Sequence, residues 1–132
     1  MNLNQVTLPA GDIELSARFY RDLGLRQIVA TPDYARFECP EGESTFSIHK
    51  VPGVTPATGV VIYFECGQLD EQVAALQSKG LGFQQLPTDE PWLWREARLL
   101  DPHGNVICLF SAGKNRKNPP WRIGGPPPTT PS

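Results

Sequence analysis

The stretch ARFECPEG at residues 35–42 is matched without gaps by ARLLDPHG at residues 97–104, and four of the eight positions are identical. Both stretches end in Pro-x-Gly, which is typical of a tight turn because proline presets its φ and glycine accepts a left-handed backbone. With one residue of slippage after the turn, Phe46-Ser47-Ile48 corresponds to Ile107-Cys108-Leu109. The same β-hairpin is therefore predicted twice.

A segment with helical spacing precedes each hairpin. Apolar residues recur at the spacing of an amphipathic helix over residues 12–23 and again over residues 68–79. Gly24 and Gly80 follow at equivalent positions, and glycine is typical of the residue just after a helix. Each half is therefore predicted to contain a helix of about three turns.

Together these segments predict an α+β fold made of two βαβββ repeats. The first is expected to contain strand 3–9, helix 12–23 and strands 25–31, 34–39 and 44–50; the second, strand 59–66, helix 68–79 and strands 82–87, 92–100 and 105–111. Because one helix covers only one face of each sheet, the other face must meet a second sheet or line a cavity.

Composition excludes several classes of function. The 132 residues are 39% hydrophobic and carry a formal net charge of −2, so neither nucleic acid nor a membrane is expected as a partner. No membrane span or signal sequence is evident, and a cytoplasmic location is expected. The three cysteines, Cys39, Cys66 and Cys108, are odd in number and form no Cys-x-x-Cys pair, which predicts reduced thiols.

Composition changes near residue 113. The expected divisions are a domain over residues 1–113, with repeat one at about 3–50 and repeat two at about 59–112, an extended C-terminal arm at 114–123 and a disordered tail at 124–132. The arm contains Pro119-Pro120-Trp121, a stiff segment whose tryptophan either docks on a groove or remains in solvent.

Three local strings accompany the repeat. They are NQVTLP at residues 4–9, SARFYRDLGL at residues 16–25 and DPHGN at residues 101–105. In combination they resemble the vicinal oxygen chelate (VOC) superfamily, the glyoxalase, bleomycin-resistance and dioxygenase group, over about residues 3–112. The resemblance implies a curled, partly open, eight-stranded mixed sheet assembly whose hollow holds the site, and it implies a homodimer.

The resembled family usually holds a divalent metal at four strand positions, commonly with His or Gln on the opening strands and Glu on the closing ones. The equivalent positions here are Gln5, Val61, Ser47 and Cys108. Valine cannot bind a metal, serine is a weak ligand, and a neutral glutamine holds a divalent metal only together with carboxylate ligands. No cofactor is therefore expected; the alternative is a zinc set of Gln5, His49 and Cys108.

Strand alternation predicts which side chains line the hollow. Apolar residues such as Val6, Ile62 and Ile107 should pack beneath the helices, so their neighbours face the other way. The residues expected to line the ligand cavity are Gln5, Thr7, Arg36, Ser47, His49, Tyr63, Glu65, Trp94, Arg98, Cys108 and Phe110. A nucleophilic Cys108 with His49 as its base would require a geometry that residue types alone do not supply.

Arg36 and Arg98 occupy equivalent positions in the two repeats. Guanidinium groups bind carboxylate or phosphate oxygens bidentately, which favours an anionic ligand. The alternative is that the two arginines pair with Glu38 and Glu96 and only hold the sheets together.

Aromatic residues indicate a second feature of the hollow. Trp92 and Trp94 are two positions apart, and with Tyr34, Tyr63 and Phe110 they predict an aromatic wall suited to a planar or apolar ligand. Packing in a core or a dimer interface explains the same residues.

Two functions from different classes follow. The first is a metal-free protein that binds a small molecule in the hollow, as in the bleomycin-resistance branch of the resembled family. The second is an enzyme with an atypical metal site or none, either a lyase or isomerase of the glyoxalase type or a dioxygenase. Whether the repeats pair within one chain or between chains stays open.

Overall fold

A computed structural model describes residues 1–125; the end of the predicted tail, residues 126–132, lies outside the described residues. The elements are β1 (Gln5–Ala10), α1 (Ile13–Leu23), β2 (Arg26–Thr31), β3 (Tyr34–Glu38), β4 (Thr45–Lys50), β5 (Val61–Glu65), α2 (Leu69–Ser78), β6 (Gln85–Asp89), β7 (Arg95–Leu100) and β8 (Val106–Ser111), followed by a 3-10 helix at Gly113–Asn115. Neither α1 nor α2 has the length and apolar character needed to cross a bilayer.

Each repeat forms its own four-stranded sheet, with strand orders β1-β4-β3-β2 and β5-β8-β7-β6. In both sheets the closing strand pairs in parallel with the opening strand and antiparallel with the strand before it. The predicted α+β fold with two βαβββ units is thereby confirmed. β1 and β5 are edge strands, so they leave one side of each sheet unpaired.

The predicted start of β7 at residue 92 is wrong. The strand begins at Arg95, because the residues before it form the turn of the β6–β7 hairpin. In this turn the backbone N–H of Leu93 donates to the carbonyl of Glu90, and Leu93 has a φ of 68°. A positive φ is uncommon for leucine and takes the preceding residues out of the strand pleat.

Helix α1 has clear signals at both ends. The side chain of Asp12 accepts a hydrogen bond from the backbone N–H of Leu15 at 3.0 Å, which caps the first turn. Gly24 ends the helix with a φ of 118° and donates its N–H back to Arg21. A side chain at this position would strain the backbone, which explains the glycine.

The helix-covered faces of both sheets pack into one core. Tyr20 of α1 contacts Phe46 of β4 with ring centroids 4.5 Å apart, and Phe46 contacts Phe64 of β5 at 5.9 Å. The same cluster includes Leu99 and Ile107 of the second repeat, both fully buried. The repeats therefore pack against each other within one chain.

A hydrogen-bond network around Asp101 also ties the repeats together. The Tyr20 hydroxyl donates to Asp101 Oδ2 at 2.6 Å, and the backbone N–H groups of His103 and Asn105 donate to Oδ1. The Asn105 side chain in turn donates to the carbonyl of Pro9 at 2.9 Å. The DPHGN turn is thus anchored to both α1 and β1, so its sequence serves the packing of the two repeats.

Candidate functional site

The side of each sheet opposite its helix carries the predicted cavity residues. We call these the first open face, on β1-β4-β3-β2, and the second open face, on β5-β8-β7-β6. Strand register places Thr7, Ser47 and Arg36 in one row across the first. It places Tyr63, Cys108 and Arg98 in the equivalent row across the second. Gln5 and His49 belong to the first open face, and Glu65, Trp94 and Phe110 to the second.

The first open face is polar, and its side chains hydrogen-bond mainly to one another. The hydroxyl oxygens of Thr7 and Ser47 are 2.6 Å apart. The hydroxyl of Thr45 donates to Gln5 Oε1 at 2.8 Å.

Arg36 of this face is engaged by a tyrosine. Its Nε donates to the Tyr34 hydroxyl at 2.8 Å. Hydrogen bonding to Ser47 is the largest cause that lowers the pKa of Tyr34, and Arg36 lowers it further. Glu38 pairs with Arg26 at 2.9 Å, so the expected Arg36–Glu38 pair is not formed.

The second open face carries a compact aromatic surface made of Tyr63, Trp94 and Phe110. Trp94 and Phe110 stack with centroids 4.5 Å apart and an interplanar angle of 17°. The Tyr63 ring meets both edge-on at 5.8 Å and remains 44% exposed. These three residues form a ready surface for another flat ring.

The predicted aromatic wall is wrong in two members. Tyr34 lies on β3 in the other sheet. Trp92 lies in the hairpin turn before β7 and is exposed. The wall is therefore a three-residue surface confined to the second repeat.

Three interacting polar groups lie beside this surface. Glu96 is only 1% exposed, and its Oε1 is 3.6 Å from Arg98 Nη2. The Cys108 thiol donates to the same oxygen at 3.4 Å, while Oε2 has no hydrogen-bond partner within the described part of the chain. The Arg98 side chain is 32% exposed. Arg98 thus has Glu96 and the Tyr63 hydroxyl as polar neighbours, and its side chain remains partly exposed.

Cys108 lacks the chemistry of a nucleophile. Burial, and after it the neighbouring Glu96, raise the pKa of its thiol to about 12, so the thiol stays protonated at neutral pH. His49 is on β4 and Cys108 on β8, in different sheets, and His49 is exposed. The structure does not bring the two together as nucleophile and base.

The metal positions implied by the family resemblance do not fit a metal ion. Gln5 pairs with Thr45 and Pro9 with His49 in the same ladder. Gln5 and His49 are therefore four residues, or about 13 Å, apart along the strand direction. The Ser47 hydroxyl is hydrogen-bonded to Thr7, and the Cys108 thiol is protonated, so neither is in the form that binds a metal ion. Among residues 1–125, no group of three or more His, Cys, Asp or Glu side chains is placed to hold a metal ion.

The segment after β8 reaches the second open face, which strand alternation did not predict. The carbonyl oxygen of Asn115 accepts a hydrogen bond from Trp94 Nε1 at 3.2 Å. Arg116 Nε lies 4.0 Å from Glu65 Oε1. These contacts place Arg116 at the rim of the aromatic surface, and in the sequence only the basic composition of residues 114–122 indicated such a position.

A groove of about 730 Å³ lies beside the edge strands β1 and β5. Only Gln5, Tyr63 and Glu65 of the predicted cavity residues line it; the rest of its wall includes apolar residues such as Phe46, Ile62 and Phe64. Most of the predicted cavity residues therefore lie outside this groove, on the two open faces.

Comparison with known proteins supports the family resemblance. The model of the Glyoxalase/Bleomycin resistance protein/Dioxygenase superfamily matches residues 2–109. Curated protein sequences give no match.

Solved structures share the fold at low identity. A bleomycin resistance determinant encoded on transposon Tn5 is 21% identical, with a TM-score of 0.71 over 84% of this chain and 98% of that one. A bleomycin-binding protein in complex with bleomycin is also 21% identical, with a TM-score of 0.68 and the same coverage. Lactoylglutathione lyase from Agrobacterium tumefaciens is 16% identical, with a TM-score of 0.68 over 83% of this chain and 92% of that one.

Proposed function

This chain belongs to the Glyoxalase/Bleomycin resistance protein/Dioxygenase superfamily, and we propose that it binds an organic small molecule on its open sheet faces without a divalent metal. The observation that carries the proposal is the partly exposed aromatic surface beside Arg98, on a face whose expected metal positions hold valine and a protonated cysteine. Apolar surface with a few directed polar groups is typical of ligand sites.

A relative of the same fold supports this class of function. The bleomycin-binding protein, as its name states, binds bleomycin, an organic molecule. At 21% identity the likeness does not transfer that ligand to this chain. It shows that binding an organic molecule is one function of this fold, while the lyase shows that catalysis is another.

Metal analysis and thermal denaturation test the proposal. Protein purified without chelator should carry no stoichiometric zinc, nickel or manganese, and added metal should leave its melting temperature unchanged. A bound organic molecule at about 100 times its Kd should instead stabilise the metal-free protein by about 2.7 kcal/mol.

The enzyme alternative predicts a different pattern. A lyase, isomerase or dioxygenase with an atypical metal site, as opposed to one without metal, would contain metal, and the metal would raise the melting temperature. Gln5→Ala would abolish that rise, while Gln77→Ala, at an exposed position on α2, would not. That result would overturn the metal-free proposal.

We also propose a homodimer. The open edges of β1 and β5 are features that a second copy would cover. The cytoplasmic location stays a prediction, and three cysteines without a disulfide are compatible with it. The division into a domain over 1–113, an arm over 114–123 and a tail over 124–132 is likewise proposed.

A further inference from the structure

We infer that the second open face takes a planar aromatic carboxylate, with the ring against Tyr63 and Trp94 and the carboxylate on Arg98. This inference rests on the proposed function and adds the chemical class of the ligand. Two neighbouring features of the second open face support it. They are the partly exposed aromatic surface and the Arg98 guanidinium, which has hydrogen-bond donors available for a ligand.

The aromatic surface offers room for one more ring. Trp94 has one ring face stacked on Phe110, and its Nε1 is already bonded to Asn115. Tyr63 contacts both rings only edge-on and keeps 44% of its surface exposed. A flat ligand ring would bury this surface, and aromatic pairs add about 0.5–1.5 kcal/mol beyond burial.

Arg98 is the cation that this face leaves available. Its one ion pair among residues 1–125 is the 3.6 Å contact with Glu96, longer than an ordinary N–H···O hydrogen bond. Arg95, on the opposite face of the same strand, donates three hydrogen bonds to Asp70 and Asp89. The Arg98 fork therefore keeps donors for a planar carboxylate, which it matches bidentately.

The two features are close enough for one small ligand. Tyr63, Cys108 and Arg98 share a row across three adjacent strands, and the Tyr63 hydroxyl is a polar neighbour of Arg98. Phe110 lies two residues along β8 from Cys108, so it is a diagonal neighbour of Arg98 at about 7–8 Å. The long Arg98 side chain covers part of this backbone separation, so a ring that bears a carboxylate can contact both features.

The basic segment after β8 offsets the charge of Glu65 on this face and favours an anion. Glu96 is buried behind Arg98, so an incoming carboxylate meets the guanidinium first. Residues 113–125 contain Lys114, Arg116, Lys117 and Arg122 and no acidic residue. Because Asn115 and Arg116 contact this face, the segment brings positive charge to its rim and raises the local concentration of anions.

Calorimetric titration with matched probes tests the inference. The probes are naphthalene-2-carboxylate, its neutral carboxamide, cyclohexanecarboxylate and phenyl phosphate. Wild-type protein should bind naphthalene-2-carboxylate at least tenfold more tightly than each of the other three. The carboxamide lacks the charge, cyclohexanecarboxylate lacks the flat ring, and a phosphate lacks the planar anion.

Paired variants assign the contacts. Arg98→Met should weaken carboxylate binding by about ten- to a hundredfold and leave carboxamide binding unchanged, because hydrogen bonds to a charged group are lost. Arg95→Met is its control and should change neither. Tyr63→Leu should weaken binding of the two naphthalene probes by roughly three- to tenfold, whereas Trp92→Leu should have no effect. If Arg98→Met does not fold, Arg98→Lys keeps the charge beside Glu96 and should still weaken the carboxylate by removing the planar fork.

The outcomes separate this inference from the proposed function. Equal affinity for carboxylate and carboxamide, or full carboxylate affinity in Arg98→Met or a folded Arg98→Lys, would overturn the ligand class alone. The ligand class would also be overturned if the protein binds neutral or cationic organic molecules, such as bleomycin, but binds no carboxylate. If metal-free protein binds no organic molecule in a broad screen, both fail.

Discussion

Replacing Tyr20 by phenylalanine should lower the free energy of unfolding by about 2 kcal/mol near neutral pH. The Tyr20 hydroxyl is fully buried and donates to Asp101 at 2.6 Å, and hydrogen bonds to charged groups contribute about 1.5–3 kcal/mol. The ring contacts with Phe37 and Phe46 remain in the variant, so packing is spared. In a chain of this size the melting temperature should fall by roughly 3–5 °C per kcal/mol.

The same pair predicts how that difference depends on pH. Burial, and after it the charge of Asp101, raise the pKa of Tyr20 well above its ordinary value. Above about pH 10 the unfolded chain releases this proton while the folded chain holds it, so wild-type stability falls by about 1.4 kcal/mol per pH unit. The Tyr20→Phe variant lacks the titratable hydroxyl, so its stability does not have this pH dependence. The gap between wild type and variant should therefore be constant below about pH 10 and shrink by about 1.4 kcal/mol by pH 11.

Urea denaturation at several pH values measures both effects. Cys66 and Cys108, whose pKa values burial raises to about 11 and about 12, titrate in both proteins and cancel in the difference. Tyr34→Phe serves as the control. Because the pKa of Tyr34 is lowered, the difference in unfolding free energy between wild type and this variant should not shrink as the pH rises. A gap for Tyr20→Phe that stays constant up to pH 11 would refute the buried, protonated Tyr20–Asp101 contact.

Two further predictions concern the thiols and the assembly. Iodoacetamide at mildly alkaline pH should label Cys108 last among the three cysteines, because it is fully buried and its pKa is about 12; peptide mapping by mass spectrometry reads the order, and early labelling of Cys108 would contradict its environment. Light scattering at micromolar concentration should return twice the 14.6 kDa of one chain, and a value for the single chain would remove the homodimer.

The fold was predictable because the same pattern of helix, strand and turn signals occurs in both halves of the sequence. Gly24 and Gly80 both have positive φ, and so does Gly104 of the repeated turn, so one residue type marks equivalent backbone positions. Alternation also placed Ile107 in the core, where it is fully buried. These features depend on the backbone geometry at single positions and on the periodicity of apolar residues, and both can be recognised in a single sequence.

The site was less predictable, because it depends on long-range position. Trp92 and Trp94 have the spacing of one strand face, but Leu93 at a φ of 68° puts Trp92 into a turn. Tyr34 was grouped with Trp94 although the two lie in different sheets. The hydrogen bond from Trp94 to Asn115 joins segments that no periodicity relates.

The equivalent arginines show how duplication leads to a site in only one repeat. In the alignment that equates residues 35–42 with 97–104, Arg36 corresponds to Arg98 and the preceding Tyr34 to Glu96. Arg36 donates to Tyr34 at 2.8 Å, and the pair sits on a face of hydroxyl and amide groups that bond to one another. Glu96 instead lies buried at 3.6 Å from Arg98, which faces an aromatic surface and a basic rim. Since the sheets share their strand order, the difference lies in the side chains and in the segment after β8. A ligand that needs both a flat contact and a guanidinium fork therefore finds them together on the second open face.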